Sequence, residues 1–239
     1  MTLKESSDYF SKLAELGINI DKKSVLLEKF IDIFLEYNQK INLISRNDFR
    51  FLFEKHIYDS LSLNLFLKKY YKDTPLNMLD IGTGGGFPSI PVSIFFNNIN
   101  ITAVDSTLKK IKFIEFVKNE LKLNNINPLC KRAEELSFGA DFDICLSRAM
   151  AELRIILEYA IPYLKEGAFF VAYKSLKAEE EIKNAKNALK ILNAEITEQI
   201  EYSLPIETEN KRVLIIIRKN AQTPGIYPRK NGLILKKPL

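Results

Sequence analysis

The stretch Asp80 to Pro91 reads DIGTGGGFPSIP, with glycine at four of five consecutive positions before bulky residues return. Glycine reaches positive φ without steric penalty and bares backbone N–H groups, so a flat or anionic ligand can lie against the chain there. A dinucleotide fingerprint would place its third glycine where this chain has Phe87, and no Gly-Lys-Ser/Thr follows to make a phosphate-binding P-loop. The spacing of Asp80, Gly82, Gly84 and Gly86 instead fits D-x-G-x-G-x-G, the usual turn of enzymes that use S-adenosylmethionine (SAM). A plain tight connection between a strand and a helix is the alternative reading.

Three further positions have the right chemistry at the right distance. Asp105 ends the run ITAVD about 20 residues beyond the turn, where a carboxylate would accept hydrogen bonds from both ribose hydroxyls; a helix N-cap is equally compatible with DSTLKK. Ala133 and Glu134, in KRAEEL, offer a backbone N–H and a carboxylate to an adenine edge, or else a capping box. Arg148, in LSRAM, falls over the floor of the expected pocket, or in an ion pair.

The elements that must hold these residues are legible from hydrophobic rhythm. From Leu76 onward, short apolar runs alternate with helix-length amphipathic segments, the pattern of a doubly wound α/β sheet. The last two runs, AEITEQIEYSL and KRVLIIIRK, have no helix between them and predict an antiparallel edge hairpin. Before Leu76 the chain reads as helices. DKKSVLLEKFIDIFLEYNQKIN offers Asp21 as N-cap and a stripe of Leu26, Phe30, Ile33, Phe34, Tyr37 and Ile41. A second helical stretch carries His56 and Asp59 three residues apart on one face, after a polar turn with Asn42, Ser45 and Arg46. The expected organisation is a helical extension over 1–75, a SAM-binding core over 76–219 and a basic tail over 220–239.

Composition narrows the function classes. No apolar run is long enough for a membrane span, and the N-terminus turns acidic before a signal-peptide core could form, so the expectation is a soluble cytoplasmic protein. Two cysteines without CxxC spacing and a single histidine predict no metal and no disulfide, with Cys130 and Cys145 as core thiols. The formal net charge of +5 is unevenly placed: the last 30 residues hold eight Lys/Arg and no acid. Such a surface suits a phosphate-bearing partner, although a solvated tail is the plainer reading.

Taken together, NLISRND, EKHIYDSL, LDIGTGGGFPSIPVSI, VDSTLKKIKFIEFV, KRAEEL, FDICLSRAMAEL and YLKEGAFFVAYK resemble the RsmG family, also called glucose-inhibited division protein B, in order from about Lys40 to Lys219. The resemblance implies a class I SAM-dependent methyltransferase, Rossmann-like in its sheet, that methylates guanine N(7) in a decoding-region loop of small-subunit ribosomal RNA. It implies SAM contacts at Gly82, Phe87, Ala133, Glu134 and Arg148, and Ser89 stands where many members have glycine.

The chemistry agrees with a chain poor in acid–base pairs. Guanine N(7) carries a free lone pair at neutral pH, so alignment of nucleophile, methyl and sulfur is the main requirement. No [D/N/S]PP[Y/F] motif for amine methylation follows the fourth strand, and Cys145 lies inside a strand rather than in a nucleophile setting. Arg148 is the candidate catalytic residue. Candidate RNA contacts are Arg46, His56, Lys174, Arg229 and Lys230, with Phe87 and Tyr173 as base-stacking platforms. The expected partner is ribosomal RNA or a ribosomal subunit, bound by a monomer. An NAD-linked oxidoreductase, an RNA-binding module without catalysis, and a methyltransferase for a small molecule or another RNA are the alternatives.

Overall fold

In the computed structural model, residues 3–20, 23–45, 47–71, 74–137, 139–148, 150–175, 178–206 and 211–239 are described. Arg46 and Asp21 lie outside the described residues. The strands β1 (Leu76–Ile81), β2 (Ile99–Asp105), β3 (Ile126–Cys130), β4 (Phe142–Arg148), β5 (Leu164–Ser175), β6 (Ala194–Ser203) and β7 (Lys211–Lys219) form one sheet in the order β3-β2-β1-β4-β5-β7-β6. Pairing is parallel from β3 through β5. β7 then inserts antiparallel between β5 and β6, so the hairpin expected from the missing helix is present and β6 is the edge. β6 shows why: its burial alternates residue by residue, whereas β7 carries the unbroken buried run Val213–Ile217 of an inner strand.

The order reverses between β1 and β2 on one side and β1 and β4 on the other, which makes the carboxyl end of β1 the switch point where ligands settle in open α/β sheets. Crossovers are made by α5 (Ser89–Phe95), α6 (Leu108–Leu121), α7 (Leu153–Ala160), α8 (Glu179–Asn184) and α9 (Lys186–Ile191). Ahead of the sheet come α1 (Leu3–Glu15), α2 (Ser24–Ile41), a π-helical stretch at Phe53–Tyr58, α3 (Asp59–Leu61) and α4 (Leu63–Tyr70). A last helix, α10 (Asn231–Lys236), follows β7.

α2 explains what its apolar stripe covers. Its deepest residues are Leu27, Phe30, Ile31 and Phe34, with Leu26, Ile33, Tyr37 and Ile41 half-buried, so the stripe is rotated slightly from the sequence expectation. The rotation brings Phe30 and Phe34 onto Phe87, at ring-centroid distances of 5.7 and 5.1 Å, and Phe34 onto Phe113 at 5.7 Å. Burying each such ring contributes about 1.5–3 kcal/mol. The bulk that follows the glycines therefore anchors the turn to the N-terminal helices. α2 ends where Asn42 turns left-handed, at φ 48°, and the Asn38 side chain accepts the Ile44 N–H at 2.9 Å. Leu13, Phe30 and Phe66 belong to the same buried cluster as Ile90 and Leu214, so the N-terminal helices share a core with the sheet.

Candidate functional site

The glycine turn divides its labour. Gly82, Gly84 and Gly86 all have positive φ, at 77, 58 and 88°. A Cβ on Gly86 would fall 2.3 Å from Ile90 Cδ1 and one on Gly85 would fall 3.2 Å from Leu43 Cβ, so both serve close packing. Gly84 faces open space, its nearest neighbour being the Gly82 carbonyl at 3.9 Å, and its N–H donates to Asp105 Oδ2 at 3.1 Å. Gly82 lies under Met150, whose sulfur would stand 2.7 Å from an added Cβ.

Beside this turn, at the carboxyl ends of β1, β2 and β3, opens a cavity of about 360 Å³, within the range of small-molecule sites. Gly82, Asp105, Ala133 and Glu134 line it, as do Lys110, Met150, Tyr159 and Leu235. Asp105 is held ready: its Oδ1 accepts the Thr107 N–H at 2.8 Å and Lys110 Nζ stands 3.5 Å from Oδ2. The N-cap of α6 is Thr107 rather than Asp105; Asp105 accepts the Thr107 N–H just before the helix and also lines the cavity. Ala133 and Glu134 form a short 3₁₀ turn, fixed from behind by the Tyr163 hydroxyl donating to the Ala133 carbonyl. Met150, Tyr159 and Leu235 left no sequence signal, because they come from chain segments that only folding brings to the turn.

Gly84, Gly86, Phe87 and Arg148 are outside that lining. Phe87 and Tyr173 are buried, so neither is a surface platform for a base: Phe87 packs in the aromatic cluster and the Tyr173 hydroxyl donates to the Ser60 carbonyl at 3.0 Å. Arg148 occupies a second centre behind the turn. Its Nη1 donates to the Lys55 carbonyl at 2.8 Å and to Asp59 Oδ2 at 3.0 Å, its Nη2 meets His56 Nδ1 at 2.9 Å, and the guanidinium lies 5.6 Å from the Phe87 centroid. Asp59 accepts a second bond from the Tyr202 hydroxyl at 2.6 Å. Within the π-helical stretch the Lys55 carbonyl accepts from Arg148, and the His56 carbonyl accepts from the Ser60 hydroxyl. Tyr202 sits on β6, far along the chain, and could not be anticipated.

Arginine can only donate, so His56 Nδ1 must accept and its proton resides on Nε2. Burial first, and the Arg148 charge second, push this imidazole down to about 3. An unfolded histidine protonates near 6.5, so the stability His56 contributes is whole above that pH and is lost as pH falls toward 3. Asp80 works in the opposite sense. Burial raises its carboxyl to about 6 against the hydroxyl of Ser89, which donates to it at 2.6 Å, so its ionisation weighs on the fold as pH rises from about 4. Ser89, the departure from the family's glycine, is therefore Asp80's partner. Because the two effects oppose, the direct measurement is NMR: His56 is the one histidine of the chain, and its ring signals should show a neutral imidazole at pH 5. A midpoint near 6.5 would contradict the burial.

The remaining sequence candidates are committed elsewhere. Lys174 donates to the Ala151 carbonyl and to Glu181, each at 2.6 Å. Arg229 is paired with the fully buried Glu158 at 2.6 Å and is not a free RNA cation. Lys230 is exposed. Cys145 is buried, as expected, but Cys130 is exposed, because β3 lies at the sheet edge and Cys130 is its last residue. Alkylation of the native protein should modify one thiol quickly, Cys130, and the second only after denaturation; mass spectrometry of tryptic peptides checks the assignment. Among the described residues no group of three His, Cys, Asp or Glu is placed to hold a metal, and no helix is long and apolar enough to cross a membrane.

Behind the turn, the buried His56 Nε2 and Arg148 Nε have no hydrogen-bond partner among the described residues.

Solved structures with this architecture include a SAM-dependent methyltransferase of Methanosarcina mazei, with TM-score 0.52, 20% identity, and coverage of 66% of this chain and 98% of that one. Another is M. jannaschii TYW2 in complex with AdoMet, with TM-score 0.51, 12% identity and coverage of 62% and 70%. These likenesses establish the fold. Over nearly the whole length, the chain is 38% identical to ribosomal RNA small subunit methyltransferase G of Lachnoclostridium phytofermentans, covering 99% of this chain and 98% of that protein. It is 41% identical to the same-named protein of Fusobacterium nucleatum, at 97% and 99% coverage. The family model described as GidB, rRNA small subunit methyltransferase G, matches residues 23–212. The chain belongs to the GidB family of ribosomal RNA small subunit methyltransferases.

Proposed function

We propose that this protein transfers the methyl group of SAM to N(7) of a guanine in small-subunit ribosomal RNA, in the cytoplasm. The observation that carries the reading is the cavity at the switch point. It joins the glycine backbone at Gly82, under the Met150 side chain, a carboxylate at Asp105 and a polar turn at Ala133 and Glu134, each on a different strand end.

The cavity suits the donor's mixed character. Asp105 would hold the ribose, the Ala133–Glu134 turn and Tyr159 the adenine side, and the turn around Gly82 the amino-acid end. When bound, SAM supplies an electrophilic methyl on a sulfonium centre. What the protein must do is hold the acceptor in line and exclude water, since an in-line geometry at about 3–3.5 Å can supply roughly 7–11 kcal/mol of the barrier. In the centre behind the turn no group is free to remove a proton: both oxygens of Asp59 are occupied and the Nδ1 lone pair of His56 is taken by Arg148. A nucleophile that arrives with its own free lone pair, such as a purine ring nitrogen, fits such a site. Arg148 would fix the region behind the turn rather than act on a proton.

The test is incubation of the purified protein and labelled SAM with small-subunit RNA from cells lacking the gene. Mass spectrometry should find label in 7-methylguanosine. Label in any other nucleoside, or in a small molecule only, would overturn the assignment.

A further inference from the structure

The basic tail expected over 220–239 is packed against α7 at Arg229 and Ile234 and reaches the cavity at Leu235. We propose that residues 226–239 form the outer wall of the donor site, latched to α7 by Arg229 and closed over the cavity by Leu235; this rests on the reading of the cavity as the SAM site. The latch is a multiple contact. Arg229 gives its backbone N–H and Nε to Glu158 Oε1 at 2.9 and 2.8 Å, and its Nη2 to Oε2 at 2.6 Å. The same Nη2 reaches the Lys237 carbonyl at 3.0 Å, so one guanidinium joins both ends of α10 to α7. Glu158 is 0% exposed, and such a carboxylate persists in the interior only with a partner of this geometry.

Beyond the latch, Ile234 is fully buried in the cluster that includes Leu153, Leu157 and Ala160 of α7. The next residue, Leu235, lines the cavity together with Ala133, Glu134, Ile155 and Tyr159. Leu235 is 55% exposed and Met150, on the same cavity, 41%. A flat purine laid against Leu235 and Tyr159 would cover the apolar surface that they open to the cavity. The charge of the tail is thereby divided: Arg229 is structural, whereas Lys236 points to solvent on the same helix.

The experiment is calorimetric titration of the full chain with SAM and with its demethylated product S-adenosylhomocysteine. Leu235→Ala, at a half-exposed position, should keep the melting temperature and raise both dissociation constants about three- to tenfold, given ~25 cal/mol per Å² of apolar contact. Lys236→Ala should change neither. A second variant, Arg229→Leu with Glu158→Leu, removes the latch without stranding a buried charge, and should weaken both ligands at least as much as Leu235→Ala. Unchanged dissociation constants in both variants, beside a wild type that binds SAM, would overturn the wall. So would a Leu235→Ala variant that loses RNA affinity alone, since the segment would then belong to the RNA interface. If the wild type itself binds neither ligand, the reading of the cavity fails before the tail is in question.

Discussion

Arg148→Ala is expected to lower methyl transfer by two or more orders of magnitude and to destabilise the protein by about 3–5 kcal/mol, the usual loss when one member of a buried pair is removed. The pair is well shielded, with side-chain exposures of 15% for Arg148 and 8% for Asp59. Alanine would leave the Asp59 charge facing a void with the Tyr202 hydroxyl as its remaining partner, and would free the Lys55 carbonyl and His56 Nδ1. For a chain of this size the melting temperature should fall by roughly 10 °C. Activity measured well below that temperature separates turnover from unfolding. Arg148→Lys keeps the charge but not the planar fork that reaches three acceptors, so it should recover much of the stability and little of the rate. Wild-type stability and turnover in Arg148→Ala would mean that this centre is neither a support nor part of the reaction.

The second large effect is expected in binding. A carboxylate offers about four acceptor positions, and on Asp105 two are taken by the N–H groups of Gly84 and Thr107. The other two suit the paired hydroxyls of a ribose. Hydrogen bonds to a charged acceptor contribute about 1.5–3 kcal/mol each. Asp105→Ala should therefore raise the dissociation constant for SAM by about a hundredfold or more, measured by calorimetry. Asp105→Asn retains a shape match and one acceptor oxygen and should fall between. The folded state should suffer less than in Arg148→Ala, because the amides of Gly84 and Thr107 lie near the surface where water can replace the carboxylate. An unchanged affinity would return Asp105 to its role just before α6 and remove the ribose from this strand end.

The centre behind Arg148 and the cavity at Asp105 differ in how they could be foreseen. Asp105 follows an apolar run at a set distance from the glycines, and a strand of known length delivers its last residue to the same edge of the sheet as its neighbour's. Local spacing is enough for that. By the same logic the alternation of short apolar runs with amphipathic stretches, and the missing helix before KRVLIIIRK, were sufficient for a mostly parallel sheet with one antiparallel hairpin. Ala133 and Glu134 came from the same reasoning at the third strand.

The partners of Arg148 could not be read this way. Its three acceptors come from the π-helical stretch and the first residue of α3, some 90 residues earlier in the chain, and Tyr202 reaches Asp59 from the edge strand. Phe87 was legible as bulk after a bare turn, but whether it faced the ligand or the interior depended on the α2 rings that meet it. The tail shows the limit most plainly. As a string of residues it is basic and free of acid, which describes an arm for phosphates; Glu158, 71 positions away, turns Arg229 into a buried latch and sets Leu235 on the cavity. Periodicity and motif spacing act over one or two elements, so they determined the sheet, the turn and the strand-end residues. Which charges are paired, which rings are buried and which segment closes the cavity are decided by long-range packing, where every contact depends on the position of two distant parts of the chain at once.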